Sequence, residues 1–341
     1  MRVGVIGYGY WGPNVARNFV EILGPGMVAV SDLNPKRLAV AERTCPGIVT
    51  TTDHRRLLAD PSISAVAIAT PVSTHHEIAI QALRAGKHVL VEKPLAASSA
   101  QSVDLIEEAD RHKRVLLVGH TFVYTGAVRK MREVVAANQI GTVLYYDSVR
   151  VNLGLFRHDT NVIWDLATHD LSIVDYVLGA RVVAVSATGM SHILGEPEDI
   201  AYLTLFFEGS LIAHLHVNWM APVKVRRTLV GGSEKMIIYD DLEPVEKIKV
   251  YDKGITVNND PEATYQMLVG YRTGDMWAPR IDTAEALLTQ AAHFVRCIEG
   301  SEQPITGGEA GLRVVRVLEA ATESMARRGE PIEIDHKRGV Q

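Results

Sequence analysis

Six residues near the N-terminus constrain this chain more than any others. Gly7-Tyr8-Gly9-Tyr10-Trp11-Gly12 directly follows the apolar run Val3-Gly4-Val5-Ile6 and opens an amphipathic stretch over residues 12–23. Between a strand and a helix, glycines at this spacing have three separate uses. The first permits a tight turn, the second lets backbone approach a pyrophosphate, and the third allows close helix–strand packing. The helix N-terminus then offers N–H groups and a positive dipole end to an anion. Asp32 closes the next apolar run, Val28-Ala29-Val30. A carboxylate about 20 residues past the glycines accepts hydrogen bonds from a ribose 2′-hydroxyl. It also repels a 2′-phosphate, so NAD is expected rather than NADP, although Lys36 and Arg37 follow closely and could offset that repulsion.

The rest of the first 120 residues repeats the same alternation. Ala65–Ala69, His88–Val91 and Val115–Val118 are short apolar runs. Between the runs, residues 35–43, 73–85 and 99–112 carry apolar positions at helical spacing. Strands apolar on both faces and separated by helices imply a doubly wound parallel sheet, the Rossmann arrangement, over residues 1–120.

After Gly119-His120 the pattern changes. Residues 124–137 and 164–178 read as helices, the second ending at Gly179, and residues 143–152 as a long alternating strand. Runs at 181–189, 200–207, 210–218, 225–231, 235–240 and 246–251 are separated by turn signals such as Glu208-Gly209 and Gly231-Gly232. Helices are expected over 283–299 and 309–328. Residues 121–341 are therefore expected to form an α+β domain with a large, mostly antiparallel sheet, for binding substrate and for assembly.

Composition narrows the function. With 341 residues, 47% hydrophobic and 22% charged, the chain can bury two sizeable cores. The 35 basic residues against 40 acidic ones leave a net charge of −5, which argues against a nucleic-acid or anionic membrane partner. Cys45 and Cys297 are too few for a disulfide framework or a cysteine-rich metal site. His214 and His216 would share one sheet face, but no third ligand completes a zinc set, so no metal is expected. Met1 opens straight into a strand and no apolar run reaches the length of a membrane span, so a cytoplasmic location is expected.

Three further segments carry a resemblance: Ala69-Thr70-Pro71-Val72-Ser73-Thr74-His75, Glu92-Lys93-Pro94-Leu95-Ala96 and Asp165-Leu166-Ala167-Thr168-His169-Asp170. With the N-terminal glycines and the late Gly307-Gly308-Glu309, they resemble the Gfo/Idh/MocA family of sugar and inositol oxidoreductases over essentially the whole chain. Residues 152–156, 161–164, 169–171 and 271–275 resemble a narrower group, which oxidises the 3-hydroxyl of a UDP-linked N-acetylated sugar or its uronic acid. The resemblance implies NAD held by Gly7, Tyr8, Gly9, Tyr10, Trp11, Gly12, Asp32, Thr70, Pro71, His75, Glu92 and Lys93. It also implies a cis Lys93-Pro94 bond and a homo-oligomer, a dimer or a tetramer.

The chemistry of the residues agrees with that resemblance. Removing hydride from a secondary alcohol needs a base for the hydroxyl proton and a donor for the developing alkoxide. Lys93, at a parallel strand's C-terminal end, suits the donor. His169 suits the base, its ordinary pKa of about 6.5 being near working pH. Asp165, four positions earlier on the same helix face, would orient substrate or favour the imidazolium. Asp170 is expected to bond backbone at the helix start, His120 and Tyr124 to line the pocket, and Arg150 and Arg157 to lie at a surface or meet an anionic substrate. An inositol or free-sugar dehydrogenase and a non-catalytic nicotinamide sensor are the rival readings. A sensor need not keep Lys93, Asp165 and His169 together.

Overall fold

The computed structural model describes residues 1–154, 160–193, 195, 197–257 and 269–335. It divides into two compact units, one of Met1–Thr125 with Ala284–Arg316, the other of Gly126–Thr283 with residues 317–335.

In the first unit β1 (Arg2–Ile6), β2 (Val28–Ser31), β3 (Val49–Thr51), β4 (Ile63–Ile68), β5 (His88–Glu92) and β6 (Leu116–Gly119) form a six-stranded sheet in the order β3-β2-β1-β4-β5-β6. Every pairing is parallel. The helices α1 (Gly12–Leu23), α2 (Pro35–Thr44), α3 (His54–Ala59), α4 (His75–Arg84) and α5 (Ser99–His112) connect the strands. Val3, Val5, Val28, Val30, Ala65, Ala67, Leu90 and Leu117 are buried because helices cover both faces. The strand order reverses beside β1, and ligands in such sheets bind at that point, beyond the strands' C-terminal ends. Ile6 is in register with Ser31 and Ile68, Ile68 with Val91, and Glu92 with Gly119. Gly7, Asp32, Thr70, Lys93 and His120 therefore all leave the sheet along one rim.

The second unit opens with α6 (Gly126–Ala136), β7 (Val143–Leu153) and α7 (Thr168–Leu178). It continues through β8 (Val182–Met190), β9 (Ile200–Phe207), β10 (Ile212–Asn218), β11 (Met220–Gly232), β12 (Met236–Asp240), β13 (Ile248–Val257) and β14 (Val269–Trp277). The chain then runs through α8 (Ala286–Ile298) in the first unit. It passes along α9 (Gly308–Ala326), which starts in the first unit and ends in the second, to β15 (Ile332–Glu333). The nine strands β7–β15 form a sheet in which, among the described residues, every pairing but β7–β10 is antiparallel.

Compactness groups residues 284–316, with α8 among them, with the first 125, although they follow far along the chain. Phe294 is fully buried in the same cluster as Val3 and Phe19, and the Phe19 and Phe294 rings meet edge to face at 6.4 Å. At the head of α8, Glu285 accepts hydrogen bonds from Arg17 and Asn18. Periodicity identified this helix but carries no sign of the surface it packs on. Among the described residues no helix is long and apolar enough to cross a membrane.

Candidate active site

The turn from β1 into α1 separates the three glycines by role. Gly7 adopts φ +94°, and a Cβ there would lie 2.6 Å from the Ala69 carbonyl oxygen, so both backbone angle and space exclude a side chain. A Cβ on Gly12 would lie 2.1 Å from the Gly7 oxygen, so that glycine lets the helix close onto the turn. A Cβ on Gly9 would meet nothing nearer than an Arg37 nitrogen at 3.8 Å. The fold therefore makes no demand for glycine at that position, whereas a pyrophosphate approaching the backbone does. No acidic residue occupies the first turn of α1. The turn thus fits a dinucleotide.

Asp32 is buried beside this turn. One carboxylate oxygen accepts from the Tyr8 N–H at 2.7 Å and the other from the Asn34 N–H at 2.8 Å. Arg37 approaches the first oxygen at 3.4 Å from a half-exposed position. The aromatic residues of the motif divide: Tyr8 is buried with its hydroxyl 3.3 Å from that of Thr44, whereas Tyr10 and Trp11 are exposed and stack edge to face. Only the last two have rings free to cover a ligand.

Further along the rim the Lys93-Pro94 peptide is cis. The Lys93 N–H lies 3.4 Å from a Glu92 carboxylate oxygen. Glu92 has room because its neighbour in register is Gly119, where a Cβ would sit 3.0 Å from that carboxyl group. Burial pushes Glu92 up to about 7, with the Lys93 cation and N–H pulling the other way. Burial, then Lys93, pushes fully buried His120 down to about 3. His75 fills the space between the two rim turns, one ring nitrogen 2.9 Å from the Pro94 oxygen and the other 2.9 Å from the Thr70 oxygen. Burial holds its ring below the ordinary histidine range, against the pull of those carbonyls. Thr70 also accepts from the Thr74 hydroxyl at 2.8 Å, and His76 turns outward to Asp104.

In the second unit Asp165 and His169 lie on one continuous segment, but its first part is not α-helical. Ile163–Ala167 form a π-turn in which the Thr168 N–H reaches the Ile163 carbonyl, and α7 begins only at Thr168. A single π-turn offsets the helical spacing by only one residue, too little for apolar periodicity to register. A hydrogen bond at 3.2 Å from the buried Trp219 indole N–H holds Asp165.

Two expectations are corrected. Asp170 does not bond backbone: it is buried and held by the side chains of Arg150 and Ser148. Arg150 accordingly lies under α7 rather than at a surface, its side chain 4% exposed. Nothing in the sequence distinguished either residue from an exposed ion, because one is brought from a strand and the other from a helix. Arg157, with Leu155 and Phe156 of the resemblance, lies outside the described residues. Tyr124 is buried with its hydroxyl 2.9 Å from that of Thr306. His214 and His216 stack on Tyr202.

A glycine turn shaped for pyrophosphate, with a buried carboxylate and a lysine on the same rim, fits an NAD-binding dehydrogenase. Comparison with known proteins agrees. A family model for oxidoreductases with an NAD-binding Rossmann fold matches residues 1–120, and the GFO/IDH/MocA C-terminal domain matches residues 128–238. The chain belongs to the GFO/IDH/MocA oxidoreductase family. It is 32% identical over 240 residues to inositol 2-dehydrogenase 2 of Saccharopolyspora erythraea, covering 68% of this chain and 71% of that one. It is 28% identical over 320 residues to UDP-N-acetylglucosamine 3-dehydrogenase of Acidithiobacillus ferrooxidans, covering 92% and 94%. A solved structure of UDP-N-acetylglucosamine 3-dehydrogenase from that organism superimposes with a TM-score of 0.77 at 26% identity, covering 96% and 97%.

Proposed function

We propose that the protein oxidises the 3-hydroxyl of a UDP-linked N-acetylated sugar or its uronic acid, with NAD as hydride acceptor. The observation that carries this reading is the similarity, nearly end to end in sequence and in fold, to a UDP-N-acetylglucosamine 3-dehydrogenase. In this reading Gly7, Gly9 and Gly12 cradle the pyrophosphate and Asp32 accepts from the adenosine ribose. Tyr10 and Trp11 cover the dinucleotide, and Thr70, Pro71, His75 and Glu92 shape the rim around Lys93. Bound NAD supplies a carbon that takes up the hydride.

The proton chemistry falls to side chains. The Lys93 ammonium donates a hydrogen bond to the reacting oxygen and stabilises charge as it develops. Neutral His169 accepts the hydroxyl proton at a ring nitrogen. Asp165, fixed by Trp219, orients the substrate and favours the imidazolium once formed. A second reading, an inositol dehydrogenase, is favoured by the higher identity to the Saccharopolyspora enzyme over the shorter match. A homo-oligomer, a dimer or tetramer, belongs to the same proposal. It is supported by exposed Tyr202 and Ile212 on one face of the second unit's sheet and tested by sedimentation.

The substrate test is formation of reduced nicotinamide by the purified protein across UDP-N-acetylhexosamines, their uronic acids, free sugars and inositols, with NAD and with NADP. A response to a UDP-sugar with NAD is expected. A response confined to inositol would move the enzyme to the polyol branch. Bound NAD that no compound reduces would favour the sensor.

A further inference from the structure

The pair beneath α7 is an expensive way to hold a helix on a sheet. Arg150 on β7 donates to Asp170 through Nε at 2.6 Å and Nη2 at 3.2 Å, and the Ser148 hydroxyl donates to the same carboxylate at 2.9 Å. All three residues are buried, together with Tyr146 from β7 and Tyr239 from β12. Desolvating two ions costs about what their attraction returns, and well-packed apolar residues of similar volume often replace such a pair without loss of stability. Stability therefore does not account for the pair. A bidentate fork with a third hydrogen bond does provide direction, because it fixes a carboxylate in orientation as well as in distance. Apolar packing leaves a helix freer to rotate about its axis.

The location gives that direction a purpose. Asp170 follows His169 immediately, in the first turn of a helix entered through a π-turn. π-turns are rare and occur frequently at functional sites. One anchor stands on each side of His169: the Trp219 indole on Asp165 upstream and the Arg150–Ser148 grip on Asp170 downstream. The Ser172 hydroxyl donates to the His169 carbonyl at 2.7 Å, tying the histidine's own backbone to the same turn.

We infer that Arg150 and Asp170 are positioning residues for His169: the buried pair sets the rotation of α7 and so the direction in which the imidazole is presented. The inference rests on the reading of His169 as the base, and it is not a claim that either ion touches substrate. Arg150 is itself steadied from β12 and the turn after it. The Asp241 carboxylate favours the Arg150 charge, and is itself held by the Tyr239 hydroxyl at 3.0 Å and by Arg226 at 3.1 Å.

The test is the double substitution Arg150→Met with Asp170→Leu, which removes both charges and leaves neither unpaired, beside the single Arg150→Lys, which keeps the charge without the fork. Histidine-labelled protein gives one ring cross-peak for His169, identified by its loss in His169→Gln. This readout needs no substrate. The double variant is expected to fold and to bind NAD as the parent does, with the His169 cross-peak displaced or broadened. On UDP-N-acetylglucosamine its kcat should fall at least about tenfold while KM stays within about threefold, a misplacement effect rather than a binding one. Arg150→Lys should lie between the two. A folded double variant with the parent's cross-peak and kcat would overturn the inference. Should the double variant not fold, Arg150→Lys decides, and parent-like behaviour there overturns it equally. Failure of the base reading shows differently: His169→Ala would keep full turnover, whatever happens to the cross-peak.

Discussion

Lys93 sits beside two buried groups displaced in opposite senses, and their titration gives a stability test at the level of single residues. Glu92, pushed up to about 7 from an ordinary 4.5 chiefly by burial, holds its proton more tightly folded than unfolded. Its contribution is complete below about pH 4.5 and is lost as pH rises towards 7, a change on the order of 3 kcal/mol. His120, pushed down to about 3 chiefly by burial, does the reverse: its contribution is present above its ordinary 6.5 and lost as pH falls. The slopes oppose one another between these ranges, so the difference between the parent and Glu92→Gln isolates the carboxyl. Urea unfolding of the cofactor-free protein across pH should show the variant gaining on the parent as pH rises from about 4.5 to 7 and level beyond. A difference independent of pH would mean that Glu92 titrates alike in the folded and unfolded protein.

At the scale of elements, the turn from β1 into α1 separates folding from binding. Gly12→Ala drives a Cβ to 2.1 Å from the Gly7 oxygen, overpacking that costs about 1–3 kcal/mol, and is expected to lower the thermal midpoint clearly. Gly9→Ala has no such clash, so its midpoint should match the parent's while NAD affinity, read by fluorescence titration, falls at least about tenfold. Equal stability losses in the two variants would show that Gly9 too serves the fold.

What was legible in the sequence follows from burial. β1, β2, β4, β5 and β6 announce themselves because both faces are covered and nearly every residue is apolar. β3 and β14 do not: the first is only Val49-Thr50-Thr51 with Val49 half exposed, and the second carries Gly270, Arg272, Gly274 and Asp275. Of the candidate site, the glycines, Asp32 and Lys93 were readable because each sits at a fixed offset from a strand end. The Arg150–Asp170 grip and the Trp219–Asp165 bond were not, because their partners lie 20 and 54 residues apart along the chain.

For the whole molecule, contiguity in sequence is a poor guide to which core a helix completes. α8 lies far from the Rossmann strands in sequence yet contributes Phe294 to their core. Phe294→Ala is expected to cost about 3–5 kcal/mol in chemical unfolding and to weaken NAD retention on heating, because the lost packing belongs to the cofactor-binding unit. A loss confined to the second unit's transition would contradict that grouping.

We propose that this chain moves hydride from a sugar hydroxyl to NAD with Lys93 at the reacting oxygen. The most direct measurement is the near-ultraviolet absorbance of reduced nicotinamide in parent and Lys93→Ala protein given NAD and the responding sugar, with NAD affinity determined in parallel. Turnover is expected in the parent and a loss of at least about a hundredfold in the variant, with NAD bound nearly as well. Near-parent turnover in Lys93→Ala would contradict it.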